Sequence, residues 1–220
     1  MEPFLSDHLL HRLHDNYLNN YEELERTFPS MEDLLRSDQK LCQSVSEGKN
    51  PIHLRGSPFK SNLNLSPEWR TLINHHTSKE YFEKTFLSFS ELRKYRPKLF
   101  DMIESGVYYY GKDIQYEVLF IIDTKKFISE GLSIHLDNKN KVFQSMIYFK
   151  NSQDTMNDVN VHLSKEDGTE DLQVDYIQNR CLIMPYTPHN WHYVTPGSPR
   201  IHRRKMINVI FTLCEELQEL

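Results

Sequence analysis

From Gly106 onward the chain carries a succession of short apolar or alternating stretches with no helical period between them, and few folds accommodate that. The stretches are Tyr108 to Tyr110, Ile114 to Ile122, Gly131 to His135, Val142 to Phe149, Asp158 to Leu163, Leu172 to Ile177, Cys181 to Met184 and Met206 to Leu213. Strands that follow one another without helices pair antiparallel, and about eight of them predict a sandwich or jelly roll. Val159, Val161 and Leu163 alternate with Asn160, His162 and Ser164, the pattern of a strand wet on one side.

The first hundred residues read differently. Ser6 caps a helix with Leu9, Leu10, Leu13, Tyr17 and Tyr21 on one face, and Ser30 with Asp33 begins a second that ends near Gly48. Lys49 to Leu65, holding Pro51, Gly56 and Pro58, reads as a loop. Ser66-Pro67, Ser78 and Ser90 start further helical pieces that stop by Gly106. The expectation is one α+β domain over residues 1–220, with a helical portion 1–106 and a strand-built core 107–214. The helices need the sheet to bury their apolar faces, so no second core is expected in residues 1–106.

Composition narrows the function. The longest apolar run, Val118 to Ile122, is far too short to cross a bilayer, and Met1-Glu2-Pro3-Phe4 lacks the start of a secretory signal. Three widely spaced cysteines form no disulfide framework, so a cytoplasmic setting is expected. A net charge of -5 argues against nucleic acid as a partner. None of the seven glycines stands in a G-x-G arrangement, which removes the dinucleotide and phosphate-loop fingerprints. Eleven histidines direct attention to metal or acid/base chemistry. Cys181 and Cys214 sit in apolar strands where a thiol is inert, and the strand-to-helix elbow of a serine hydrolase is missing. His75-His76 reads as helix surface, Tyr108-Tyr109-Tyr110 as sheet packing, and Trp191 as either core or pocket wall.

One constellation stands out. His135-Leu136-Asp137 ends a strand, with both polar side chains on the same face of an extended segment. His192 follows much later, in Pro188-His189-Asn190-Trp191-His192-Tyr193-Val194, where His189 competes for the same role. Arg204 then opens the last long apolar strand, with Arg200 and Arg203 as neighbours that compete with it. Alternation puts Arg204 in phase with Met206 and Asn208, and leaves Lys205, Ile207, Val209 and Phe211 to face the helices.

In Gly131-Leu132-Ser133-Ile134-His135-Leu136-Asp137, Trp191-His192-Tyr193-Val194 and Arg204-Lys205-Met206-Ile207-Asn208-Val209 the sequence resembles the Fe(II)/2-oxoglutarate-dependent oxygenase superfamily, over roughly residues 110–214. The resemblance implies a double-stranded β-helix, a cupin-like jelly roll, backed by the N-terminal helices. It implies Fe(II) on His135, Asp137 and His192, and 2-oxoglutarate anchored by Arg204 with help from Asn208. Two imidazoles and one carboxylate on one face leave open positions for the 2-oxo acid and for dioxygen, and a guanidinium matches a carboxylate bidentately. With a carboxylate at position 137, the resemblance implies hydroxylation rather than halogenation. The polar residues of Lys49 to Leu65 and Phe149 to Asp158, with Trp191, suit a polar small molecule such as an amino acid or sugar derivative. A protein side chain is the alternative substrate. The rival classes are a metal- or ligand-binding module without turnover, and a metal-dependent isomerase or dioxygenase that uses no 2-oxo acid.

Overall fold

A computed structural model of the chain describes residues 52–56, 67–122, 130–148, 160–169, 171–177, 179–197, 205–214 and 217. The two helices expected in the first fifty residues lie outside that set, as do Arg200, Arg203 and Arg204.

Among the described residues three helices precede the main run of strands: α1 (Pro67–His76), α2 (Lys79–Ser88) and, after the 3-10 turn Ser90–Lys94, α3 (Pro97–Ser105). The expected starts at Pro67 and Ser78 are found, whereas Ser90 opens the 3-10 turn and α3 begins at Pro97. Pro67 and Pro97 supply a fixed backbone angle where no intrahelical N–H is needed, and Ser78 Oγ accepts from Tyr81 N at 3.1 Å. Gly106 closes α3 in the left-handed conformation, φ 69°, which costs a glycine nothing.

The strands are β1 (Ile52–Gly56), β2 (Ile114–Ile122), β3 (Leu132–His135), β4 (Lys141–Tyr148), β5 (Val161–Ser164), β6 (Leu172–Val174), β7 (Cys181–Pro185), β8 (Trp191–Val194) and β9 (Lys205–Leu213). They form two antiparallel sheets, in the orders β1-β2-β9-β4-β7 and β3-β8-β5-β6. From β2 to β9 the pairing is concentric: first with last, β3 with β8, β4 with β7, and β5 with β6.

The larger sheet is sandwiched between the helices and the smaller sheet. On its helical side Phe82, Phe86, Leu99 and Phe100 pack with Ile114, Phe143, Ile147, Ile207, Val209 and Phe211. On its other side Met146, Tyr148, Met206 and Ile210 meet Val161, Val194 and Tyr176. The split of β9 follows the expected alternation, with Ile207, Val209 and Phe211 toward the helices and Met206 on the opposite face. Tyr81 Oη and Ser145 Oγ, 2.9 Å apart, tie the helical layer to β4.

Four local expectations are corrected. Part of Lys49 to Leu65, read as loop, is β1, an edge strand that pairs with β2 along its length. Tyr108 to Tyr110 is no strand; Tyr110 makes a single bridge to Ile114, and its hydroxyl donates to Thr77 O at 2.5 Å. The segment around His192, absent from the expected strands, is the strand β8. His76 is not on the helix surface. It is 2% exposed, with Nδ1 2.8 Å from Leu72 O and its ring 4.8 Å from that of Tyr81.

Burial drives the His76 pKa down to about 4 from 6.5, opposed by the bond to Leu72 and reinforced by His75. The unfolded chain therefore binds a proton here that the folded one refuses, and stability falls as pH drops from 6.5 to about 4. His76→Leu is expected to remove roughly 3 kcal/mol of acid sensitivity across that window. Urea midpoints at pH 7 and pH 4.5 would measure it; an unchanged pH dependence would refute it.

Candidate metal centre

Gly131 makes the approach to the site possible. At φ 68° it brings β3 so close to β8 that a Cβ would sit 2.3 Å from Val194 O. β3 then runs antiparallel to β8, and the ladder sets His135 directly opposite His192, their ring centroids 4.2 Å apart. Asp137 follows two residues after β3 ends, on the same side. One ligand atom from each of His135, Asp137 and His192 falls within 4.8 Å of the others. Among the described residues this is the single group of that kind.

Both histidines are fastened by the ring nitrogen that faces away. His135 Nδ1 lies 2.9 Å from Ser133 O, and His192 Nδ1 lies 3.2 Å from Asn190 O. A carbonyl only accepts, so each Nδ1 carries the proton and each Nε2 keeps its lone pair for a metal. Burial, together with the neighbouring His135, holds the His192 pKa below the usual histidine value, partly offset by Asp137. The neutral, ligating form of His192 is thereby favoured.

Asp137 is held as firmly. Lys141 Nζ sits 2.6 Å from Oδ1, Gln144 Nε2 donates to Oδ2 at 3.0 Å, and His192 Nε2 is 4.0 Å from Oδ2. Further along, Arg96 donates to Lys139 O and stacks its guanidinium 4.8 Å from the Tyr186 ring, so one buried side chain joins the turn after Asp137 to a wall of the site.

A cleft of about 110 Å³ runs down to Asp137 and His192 between Leu163, Ser164, Met184, Tyr186 and Trp191. Beside it lies a wider shelf of about 560 Å³, bordered by Lys165, Glu166, Asp167, Pro188, His189 and Trp191. Trp191 is thus a pocket wall. His189 stands exposed on the rim, 5.7 Å from the Tyr95 ring centroid, and is not part of the three-residue group.

The structure brings together His135, Asp137 and His192, and places Asn208 beside Gln144 at 2.9 Å. Lys141, Gln144 and Arg96 were missed by sequence reasoning. Gln144 alone left a trace: a polar amide between the apolar pairs Val142-Phe143 and Met146-Ile147, where burial demands a partner.

No protein-family model matches the sequence, and no curated protein matches it. Among solved structures, a Pseudomonas putida prolyl-4-hydroxylase overlaps 97% of this chain and 91% of its own, at 13% identity and TM-score 0.45. The hydroxypropylphosphonic acid epoxidase from S. wedmorenis overlaps 45% of this chain and 44% of its own, at 7% identity and TM-score 0.30. At such scores the overlaps establish neither family nor activity. No described helix is long and apolar enough to cross a membrane.

Proposed function

We propose that the chain is an Fe(II)- and 2-oxo-acid-dependent oxygenase, built as a double-stranded β-helix, that hydroxylates a polar substrate. The observation that carries this reading is the convergence of His135, Asp137 and His192 with both Nδ1 atoms already committed to backbone carbonyls. Two imidazoles and one carboxylate fit a divalent first-row ion, and a two-histidine, one-carboxylate set with open positions is the preference of non-haem Fe(II). The concentric pairing of β2 through β9 supports the jelly roll, because a long four-rung hairpin rolled up on itself pairs its strands in that way.

Bound there, Fe(II) would supply the chemistry by which dioxygen, as oxidant, converts C–H to C–OH while the 2-oxo acid is oxidised to carbon dioxide and the shorter carboxylic acid. The chain's own residues set the conditions. His135 and His192 offer fixed lone pairs, and Asp137 offers the one negative charge of the group. Met206, Met146 and Val194 pack the space between the sheets with apolar surface. Arg204, in phase with Met206 and Asn208 by sequence alternation, is the proposed carboxylate anchor of the co-substrate. Ser164, Thr187, Asn190 and Trp191 line the cleft with hydroxyls, an amide and one aromatic face, which suits a polar small molecule. The open shelf beside the cleft favours a second reading, in which a protein presents one side chain to the site.

Thermal stabilisation with Mn(II) and 2-oxoglutarate tests the class. Mn(II) plus co-substrate at a hundredfold excess over Kd is expected to add about 2.7 kcal/mol beyond Mn(II) alone. Arg204→Ala is expected to abolish that increment and leave the metal effect. Stabilisation by Mn(II) with no response to 2-oxoglutarate would instead favour a metal-binding module.

A further inference from the structure

The carboxylate of Asp137 is held by a relay of amides that crosses the inside of the larger sheet. Gln144 on β4 stands opposite Ile210 on β9, and Met146 opposite Asn208, so Gln144 and Asn208 are diagonal neighbours on the face turned toward the smaller sheet. Asn208 Nδ2 donates to Gln144 Oε1 at 2.9 Å, and Gln144 Nε2 donates to Asp137 Oδ2 at 3.0 Å. Both amides are at least nine-tenths buried, where a polar group is retained only if its bonds are made.

The relay has one permitted direction, and Asp137 sets it. An ionised carboxylate only accepts, so Gln144 must turn its NH2 toward it. The Gln144 oxygen then faces β9, and Asn208 must present its own NH2 to that oxygen. Reversing either amide would bring two acceptors face to face. Asn208 Oδ1 is left at the far end, buried and without a partner among the described residues. On the other side of the carboxylate, Lys141 Nζ occupies Oδ1 at 2.6 Å. Both oxygens of Asp137 therefore carry a donor from β4, and Oδ2 is the one that faces His192.

We propose that Gln144 and Asn208 are positioning residues that hold Asp137 as a one-oxygen metal ligand. With Oδ1 engaged by Lys141 and the Oδ2 orientation fixed by Gln144, the carboxylate cannot swing to grip an ion with both oxygens. Neighbouring coordination positions stay open for other ligands. The inference rests on the reading of His135, Asp137 and His192 as a metal centre.

The test uses Co(II) as the probe, with affinity and visible absorption as readouts. Asn208→Asp keeps the shape but replaces the donor by an acceptor, so Gln144 is driven to turn its oxygen toward Asp137. Asn208→Leu removes the donor without adding a charge. Each is expected to weaken Co(II) binding 10- to 100-fold and to alter the Co(II) spectrum, with folding checked by urea unfolding. In a Gln144→Met background, Asn208→Asp is expected to add little, since the coupling passes through Gln144. Equal losses in both backgrounds, or wild-type affinity and spectrum in all folded variants, would overturn the relay. A wild-type chain that takes up no Co(II) would instead remove the metal centre itself, and the relay with it.

Discussion

Asp137→Ala is expected to reduce 2-oxoglutarate turnover to background and to weaken metal binding by more than a hundredfold, beyond the 10- to 100-fold typical of losing an outer partner. Asp137 is the one carboxylate in the group, so its removal leaves two neutral imidazoles to hold a divalent ion. The loss has a second part. Lys141 Nζ, now 2.6 Å from Asp137 Oδ1, would keep its charge beside the site with nothing to balance it, and would repel the incoming cation. Asp137→Asn, which preserves shape but not charge, is expected to fall nearly as far. Succinate formation and Mn(II) titration measure the two effects, and turnover retained in Asp137→Ala would remove the metal-centred reading.

Phe82→Ala is expected to cost about 3–5 kcal/mol of folding stability, the range for emptying a large buried ring. Phe82 is fully buried at the junction of helix and sheet. Its ring centroid lies 5.7 Å from Phe143 on β4, 5.1 Å from Phe211 on β9 and 6.0 Å from Phe86 on its own helix. No nearby side chain can collapse into the space without abandoning those contacts. Chemical denaturation should show a lower midpoint at an unchanged slope, and a loss below 1 kcal/mol would mean that the helices dock less tightly than the packing indicates. Because Phe143 and Phe211 share their strands with Gln144 and Asn208, metal affinity is expected to decline as well.

Much of this architecture was legible in the chain because the physics that builds it is local. Ile114 to Ile122 pairs along its whole length, as the alternation of Ile114, Tyr116 and Val118 with Gln115 and Glu117 and the apolar run to Ile122 implied, and Ser78 and Gly106 mark helix ends through bonds and angles each residue favours by itself. Where neighbours decide, the sequence was silent. Ile52–Gly56 pairs with β2 along its length, yet its alternation of Ile52 and Leu54 with His53 and Arg55 is only four residues long between Pro51 and Pro58, too short to read as a strand by itself. Trp191–Val194 is short and preceded by turn residues, so its strand character comes from lying between β3 and β5. His76 looks like surface until α1 is packed against the layer that contains Tyr81.

The site divides in the same way. His135 and Asp137 share a face by spacing alone, whereas the meeting of His135 with His192 depends on ladder register, and spacing does not encode register. Lys141 lies four residues from Asp137, yet a lysine at a turn is ordinarily solvated, and its proximity became informative only once the turn was built. Gln144 was the exception, since an amide between apolar pairs is a question that only a folded partner answers.

The pairing of His135 with His192 has a consequence for folding fidelity. In a strand, a slip of one residue sends every side chain to the opposite face, so β3 sliding by one step along β8 would turn His135 away from His192. Among the described strands β3 lies at the edge of its sheet and pairs with β8 alone, which makes it the place where such an error costs least. A chain misaligned there would keep the core between helices and sheet, lose only the packing of Leu132 on the other core, and grip no ion. Stoichiometric metal uptake would therefore count the correctly aligned molecules in a preparation, a quality that thermal melting alone does not report.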